Sequence, residues 1–358
     1  MNKNILRPGD TVLVTGGAGY VGSHLVPMLL ERGYRVRVLE TYLYGDAGLA
    51  GCVNDANLEV LTGDICNIRD MIRAAKGAKA VIALAALVGD AACEIDHDET
   101  VAINIESTKL LCNVARLTPS LERIVFASSC SVYGATEGLV LNEGSKLNPV
   151  SFYARSRIVS EQILARDLAG HSVVTLRLGT VFGASPRMRL DLMINTMTYR
   201  ALRTGRITVT GGQAWRPHVH VKDVAAAFLM AAEAPHERVS GEVFNVGSDH
   251  NNFTISEAAV IVAGEISGAQ IDSLDTVEDL RSYRVSFDKI RHVLGFHARY
   301  RIEDGVREIR DLLTSDGIDG ERSVYSNLKH LREHGFGGTV HVRAKAAPQD
   351  ATAKHAAR

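Results

Sequence analysis

Short apolar runs alternate with helix-period patterns along the first half of the chain. Thr11-Val12-Leu13-Val14 predicts a strand, and Val21, Leu25, Leu29 and Leu30 then recur at helical spacing between Tyr20 and Arg32. Further strands are expected at Arg35–Leu39, Leu58–Leu61, Ala80–Leu84, Arg123–Phe126 and Val173–Leu176. Strands that are apolar along nearly their whole length are buried on both faces. Separated by helices, they predict an α/β fold built on a doubly wound parallel sheet.

The second half is less regular. Helices are expected over about Leu190–Thr204 and Val221–Ala234, with shorter ones near Ile255–Ile266, Phe287–Val293 and Ile302–Thr314. Loops rich in Gly, Arg and Asp separate them, which suggests a smaller lobe interleaved with the last strands of the sheet. From Gly335 onward large apolar residues are few and Ala, Lys, Arg and His are many, so a mobile tail is expected over 335–358.

With 358 residues, 46% of them hydrophobic, the chain has apolar material for one large domain or two modest ones. A formal net charge of −1 gives no reason to expect nucleic acid or an anionic membrane as partner. No apolar run approaches the ~18 residues of a membrane-crossing helix. Met1-Asn2-Lys3-Asn4 leads almost directly into a strand, without the apolar stretch of a secretory signal. Cys52, Cys66, Cys93, Cys112 and Cys130 are odd in number and lack CxxC spacing. Reduced thiols in a cytoplasmic protein are therefore expected, rather than a disulfide framework or a zinc site.

The strongest local signal is Thr15-Gly16-Gly17-Ala18-Gly19-Tyr20-Val21-Gly22, straight after the first strand and into the first helix. Gly16, Gly19 and Gly22 let the backbone turn tightly and approach a pyrophosphate seated on the helix N-terminus. A glycine motif alone is equally an ordinary turn; here an acid, Glu40, also follows at the end of the next strand. Glu40 is placed to bind the adenosine ribose hydroxyls and would repel a 2′-phosphate. Thr41-Tyr42-Leu43-Tyr44 supplies no Arg or Lys, so NAD is expected rather than NADP. Asp64, after the third strand, either accepts from the adenine amine or caps the following helix. Tyr20, Val21, Ile65, Leu84, Ala85 and Ala86 complete the expected cofactor contacts. Leu87-Val88-Gly89-Asp90 follows at the carboxyl edge of the fourth strand, where open α/β sheets bind ligands, so Val88 is expected to line the pocket.

Four motifs in order carry a family resemblance. Residues 15–22 resemble the TGxxGxxG loop of extended short-chain dehydrogenases/reductases. Ser128-Ser129-Cys130-Ser131-Val132-Tyr133-Gly134 resembles their catalytic-serine segment, and Pro149-Val150-Ser151-Phe152-Tyr153-Ala154-Arg155-Ser156-Arg157 their PxSxYxxSK segment. Trp215-Arg216-Pro217-His218-Val219-His220-Val221-Lys222-Asp223-Val224 resembles their RDFIHVDDVA segment. As a set, these motifs resemble the NAD-dependent epimerases and dehydratases of nucleotide-linked sugars, over about residues 9–315. The resemblance implies a Rossmann-type NAD-binding domain (1–180, with a returning segment at about 215–250) and a smaller substrate-binding lobe (181–214 and 251–334). It also implies a homodimer through two helices, about Thr100–Leu117 and Phe152–Ala169.

The residues fit that chemistry on physical grounds. Oxidising a sugar carbinol needs a base for the hydroxyl proton beside a hydride acceptor. A tyrosine serves near neutral pH only when its phenolate is stabilised. Arg157, one helical turn after Tyr153, places a cation on the same face, and Ser129 ends a strand within reach of the same sugar hydroxyl. Tyr153, Arg157 and Ser129 are therefore the candidate catalytic residues.

Two positions depart from the family pattern. Arg157 replaces the usual lysine, keeping the charge but changing its shape. Cys130-Ser131 stands where the 4,6-dehydratases carry the Asp-Glu pair that eliminates water. A C4-epimerase or C4-dehydrogenase acting through a 4-keto intermediate is therefore expected, with a ketoreductase or a catalytically impaired NAD-binding subunit as alternatives. By the resemblance Arg216 and Arg281 grip the nucleotide diphosphate, the alternative for Arg216 being a surface salt bridge. Arg187 and Arg189 either reach phosphate or are solvated loop charges. His218 and His220 have i, i+2 spacing without a nearby third ligand, so a structural role is expected and no metal.

Overall fold

The computed structural model describes residues 5–274, 281–315 and 318–336. Seven strands form the central sheet: β1 (Thr11–Thr15), β2 (Arg35–Glu40), β3 (Leu58–Thr62), β4 (Ala80–Ala83), β5 (Arg123–Ser129), β6 (Ser172–Leu178) and β7 (Val243–Val246). Their order across the sheet is β3-β2-β1-β4-β5-β6-β7, and every pairing is parallel. The strand order reverses beside β1, between β1 and β4, which opens a crevice at the carboxyl ends of those two strands.

Alternate side chains of each strand feed opposite layers. Val12, Val14, Val36, Val38, Ile82 and Val125 pack with Leu25 and Leu29 of the helix Gly22–Glu31 and Phe228 of the helix Val221–Glu233. Leu13, Leu39, Val81, Ile124 and Phe126 pack on the other face, against Leu111, Val114, Ile163 and Leu164. Those last four lie on the two helices expected to form a dimer, so that part of their apolar surface covers the sheet. The first of these helices is not uniform. A six-residue π-helical stretch, Val101–Glu106, precedes the α-helix Ser107–Arg116.

The helices Met193–Thr204, Ile255–Glu265 and Ile302–Ser315 gather around a separate apolar cluster containing Ile194, Ile207, Val262 and Val306. Short pairings that the apolar pattern did not signal brace this half. Arg206–Thr210 pairs with Gln270–Leu274, and Trp215–His220 lies between Thr180–Phe182 and Asn252–Thr254. A further helix, Asn327–His334, was also not expected. Phe336, which composition assigned to the tail, packs beside an apolar cluster containing Leu87 and Leu331; the rest of that tail, 337–358, lies outside the described residues. No described helix is long and apolar enough to cross a membrane.

Candidate active site

The crevice opens into a cleft of about 970 Å³, at the upper end of the range for small-molecule sites. Gly16, Gly19, Tyr20, Val21, Gly22, Glu40, Asp64, Ile65, Leu84, Ala85, Ala86, Val88, Ser129, Tyr153, Arg157, Arg187, Arg189 and Arg281 all line it. Among the residues singled out in the sequence, Arg216 does not.

The glycine loop is built for a close backbone approach. Gly16 has φ +75°, and a Cβ there would sit 2.9 Å from the Ala85 nitrogen. A Cβ on Gly22 would come within 2.5 Å of the Gly17 carbonyl oxygen. Glu40 faces this loop and accepts from the backbone N–H groups of Ala18 (3.1 Å), Thr41 (3.0 Å) and Tyr42 (3.2 Å). Burial raises its pKa and those three donors counter the rise. Asp64 is not the helix cap: its carboxylate accepts from Cys66 N at 2.8 Å, while Asn67 caps the helix Ile68–Ala75. The Asp64 carboxylate thus stands on the cleft wall without a capping task. These residues fit a dinucleotide.

Tyr153 and Arg157 lie on the helix Phe152–Asp167, which Ser151 caps by accepting from Ala154 N at 3.2 Å. Arg157 is buried, 3% exposed, with its guanidinium carbon 5.6 Å from the Tyr153 ring centroid and 5.5 Å from that of Phe126. Its Nη1 donates to the Ala127 carbonyl at 3.4 Å, and its Nε has no partner among the described residues. Burial pushes the Tyr153 pKa up, while the Arg157 cation and a hydrogen bond with Ser129 pull it down. Burial lowers the Arg157 pKa, against the attraction of Tyr153. Beneath the pair, Glu161 binds Arg177 through two contacts of 3.0 and 2.7 Å and also accepts from Ser128.

Cys130 and Ser131 point in different directions. Cys130 is buried, with its thiol against the Arg177 carbonyl at 3.3 Å, and burial pushes its pKa well up. Ser131 lines the cleft, and its Oγ is buried without a partner among the described residues.

The arginines differ from expectation in their burial. Arg187 and Arg189 are 5% and 8% exposed, so neither is a solvated loop charge. Arg189 is bound to both carboxylate oxygens of Asp191, at 2.9 and 3.0 Å. The Arg187 guanidinium carbon lies 4.1 Å from the Tyr44 ring centroid, and burial together with Arg189 lowers its pKa to about 10. Arg281 is paired with Asp90, whose other oxygen accepts from the Ser151 hydroxyl at 2.7 Å. Arg216 is 5% exposed, so it is not a solvated surface charge. It donates to the Trp215 carbonyl at 2.8 Å and to the Arg281 carbonyl, and thereby supports the backbone that carries Arg281. His218 is buried with Nδ1 at 3.2 Å from the Asn251 carbonyl, and His220 Nε2 contacts Glu308 at 3.0 Å. Among the described residues no group of His, Cys, Asp and Glu is arranged to hold a metal ion. Asp90 lines the cleft with the rest of the segment 87–90 expected there; Tyr44, Asp191 and Asn327 also line it, and no role was read for them in the sequence.

A glycine-cradled dinucleotide cleft on a parallel seven-stranded sheet, with a Ser-Tyr-Arg group inside it, defines an NAD-dependent oxidoreductase-type enzyme. The model of the NAD dependent epimerase/dehydratase family matches residues 12–247, and the chain belongs to that family. UDP-glucose 4-epimerase 3 of Oryza sativa subsp. japonica is 30% identical over 338 residues, covering 84% of this chain and 88% of its own. The UDP-glucose 4-epimerase of Halalkalibacterium halodurans is 28% identical, over 81% of this chain and 91% of its own. Among solved structures, MoeE5 in complex with UDP-glucuronic acid and NAD is 29% identical with a TM-score of 0.73, covering 87% of this chain and all of its own (100%). DesIV, a dTDP-glucose 4,6-dehydratase from Streptomyces venezuelae with NAD bound, is 25% identical with a TM-score of 0.76, over 86% of this chain and 98% of its own. The protein is an NAD-dependent enzyme of this family.

Proposed function

We propose that the protein oxidises and re-reduces C4 of a nucleotide-linked sugar, as a C4-epimerase or C4-dehydrogenase working through a 4-keto intermediate. The carrying observation is that Ser129, Tyr153 and Arg157 share one cleft with the glycine loop, with no acidic pair at 130–131. The glycine loop, Glu40 and Asp64 would hold NAD, which supplies the hydride acceptor when bound. Tyr153 takes the proton of the sugar 4-hydroxyl, Arg157 stabilises the resulting phenolate, and Ser129 orients the hydroxyl. Arg187, Arg189 and Arg281 supply the cationic wall for the diphosphate. The names of the relatives, UDP-glucose 4-epimerases among them, support a nucleotide diphosphate sugar as substrate.

The dinucleotide-binding unit in this reading is 1–180 with 215–250, and the substrate lobe is 181–214 with 251–334. The enzyme is read as a cytoplasmic homodimer formed through the two helices at about 100–117 and 152–169. Light scattering at micromolar concentration tests the dimer, and a monomeric mass would refute it. Function is tested by a product screen across nucleotide sugars, following bound NADH by absorbance and products by NMR. The expected result is a C4-inverted or C4-oxidised product; if no nucleotide sugar reduces the bound cofactor or is converted, the reading fails.

A further inference from the structure

Residues 318–336 lie beyond the segment matched by the family model, yet they reach the cleft beside Tyr153. The Tyr325 carbonyl accepts from Leu190 N at 2.8 Å, which ties this segment to the loop carrying Arg187 and Arg189. Ser326 then caps the helix Asn327–His334 by accepting from Lys329 N at 3.3 Å. Asn327 is 5% exposed and fully engaged. Its N–H donates to Asp191 Oδ2 at 2.9 Å, its Oδ1 accepts from Arg187 Nη2 at 2.6 Å, and its Nδ2 donates to the Val88 carbonyl at 3.4 Å. One side chain therefore joins the arginine loop to the loop after β4. One turn on, Leu331 is 2% exposed and packs with Leu87, Ala92 and Cys93, and Tyr153 and Phe336 lie against the same cluster. Ser326, Asn327, Leu328 and Phe336 line the cleft.

We propose that this C-terminal segment is the outer wall of the glycosyl subsite, with Phe336 and Leu328 facing the reacting sugar and Asn327 as the positioning residue that sets the wall against both loops. The inference rests on the reading of the protein as a C4 oxidoreductase of nucleotide sugars. In that chemistry the C4–H bond breaks with its electron pair passing to NAD, the hydroxyl proton passes to Tyr153, and a C4 carbonyl forms. Epimerisation returns hydride and proton with the opposite face of the sugar presented, so the ketosugar must turn without leaving. Hydrogen bonds on every side of the sugar would hold one face. Apolar contact is non-directional and tolerates both. Of the side chains that this segment adds to the cleft wall, Leu328 and Phe336 are of that kind, and Phe336 lies against the same cluster as Tyr153. The segment thus retains the ketosugar between the two half-reactions.

The test uses the full-length protein with Phe336→Ala, Phe336→Leu and Asn327→Ala, UDP-glucose or the best substrate of the product screen as probe, and four readouts. These are KM, kcat, the NADH that accumulates as ketosugar escapes, and NAD affinity by titration. Phe336→Ala should raise KM about tenfold, the equivalent of one lost buried contact, and build up NADH during turnover while NAD affinity stays unchanged. Phe336→Leu, which keeps the apolar bulk, should restore retention. Asn327→Ala should act in the same direction as Phe336→Ala. The proposal is overturned if Phe336→Ala matches the unmodified protein in KM and NADH accumulation. It is equally overturned if that variant only loses NAD binding or thermal stability, and Phe336→Leu shares the defect. If the unmodified protein converts no nucleotide sugar at all, the functional reading itself fails and the wall falls with it. Conversion with unaltered variants removes the wall alone.

Discussion

The guanidinium of Arg157 lies over two aromatic rings, those of Tyr153 and Phe126, with its central carbon 5.6 and 5.5 Å from their centroids. The cation that stands in for the family's lysine therefore lies over the ring whose phenolate it would stabilise. Cation–π contact with two rings at once suits a broad, weakly hydrated guanidinium better than a compact ammonium.

The first expectation concerns Tyr153. Burial raises its pKa, and Arg157 and Ser129 oppose the rise. The active base is the phenolate, so kcat/KM should climb as pH rises toward the pKa of Tyr153. Arg157→Met removes the lowering charge at similar length, and should displace that limb to higher pH. Tyr153→Phe should cost about 10²–10⁴ in kcat, with NAD affinity nearly unchanged. Turnover by Tyr153→Phe at the unmodified rate would rule out the mechanism.

Arg157→Lys tests whether the shape of this cation matters. Lysine keeps the charge but loses the Nη1 bond to Ala127 and the guanidinium contact with the Phe126 ring. We expect activity between that of the unmodified protein and that of Arg157→Met, with a clear deficit relative to arginine. Activity equal to or above the unmodified protein would show that the pocket reads charge and not shape.

Glu40 sets cofactor choice. Its carboxylate is turned toward the glycine loop by three backbone N–H donors, from Ala18, Thr41 and Tyr42. NAD should bind far more tightly than NADP, and Glu40→Ala should narrow that gap by weakening NAD and removing repulsion of the 2′-phosphate. Calorimetric titration with both cofactors checks it, and equal affinities in the unmodified protein would contradict it.

Away from the cleft, Glu308 predicts an acid limb in stability. Burial pushes its pKa up, but hydrogen bonds and charge from His220 and Lys222 outweigh burial and bring it to about 2. A depressed carboxylate pKa contributes stability that is present above its unfolded value, 4.5, and is lost as pH falls toward about 2. Glu308→Gln should remove that part of the acid dependence. Denaturant midpoints measured from pH 6 down to about 3 should therefore converge for the two proteins as pH drops. Parallel curves would exclude a role for this carboxylate.

Much of the first half of the fold was legible because its strands are buried on both faces and so read as continuous apolar runs. The braces of the second half were not legible for the opposite reason. Arg206–Thr210 alternates exposed and buried positions, and its partner Gln270–Leu274 is mostly polar and partly exposed. The helix Asn327–His334 carries only Leu328 and Leu331 as apolar residues, too few to mark a face. In the site, the glycine loop and the Tyr153–Arg157 spacing could be found because each is a local pattern. The Arg187–Asn327 contact spans 140 positions and the Arg281–Asp90 pair 191, distances over which composition and periodicity carry no signal. Arg216 shows the converse. It matches its motif, yet its side chain turns to carbonyl oxygens and the ring of Tyr283 rather than to the cleft wall.

The π-helical stretch Val101–Glu106 brings the side chain of Asn104 against the loop after β4. There Asn104 accepts from Leu87 N at 2.9 Å and donates to Leu87 O at 3.0 Å, while also donating to Ser156 Oγ at 3.2 Å. Its amide thus binds both backbone groups of one residue as a neighbouring strand would, an attachment that does not depend on the Val88 side chain. Placement and chemical character are thereby uncoupled at one position: Leu87 packs beside Leu331 and Asp90 binds Arg281 and Ser151, but Val88 can be exchanged to suit another sugar without releasing the segment from the helix that carries Tyr153. Val88 behaves as an interchangeable part on a fixed mount, and substitutions there are the natural starting point for redirecting this enzyme to new substrates.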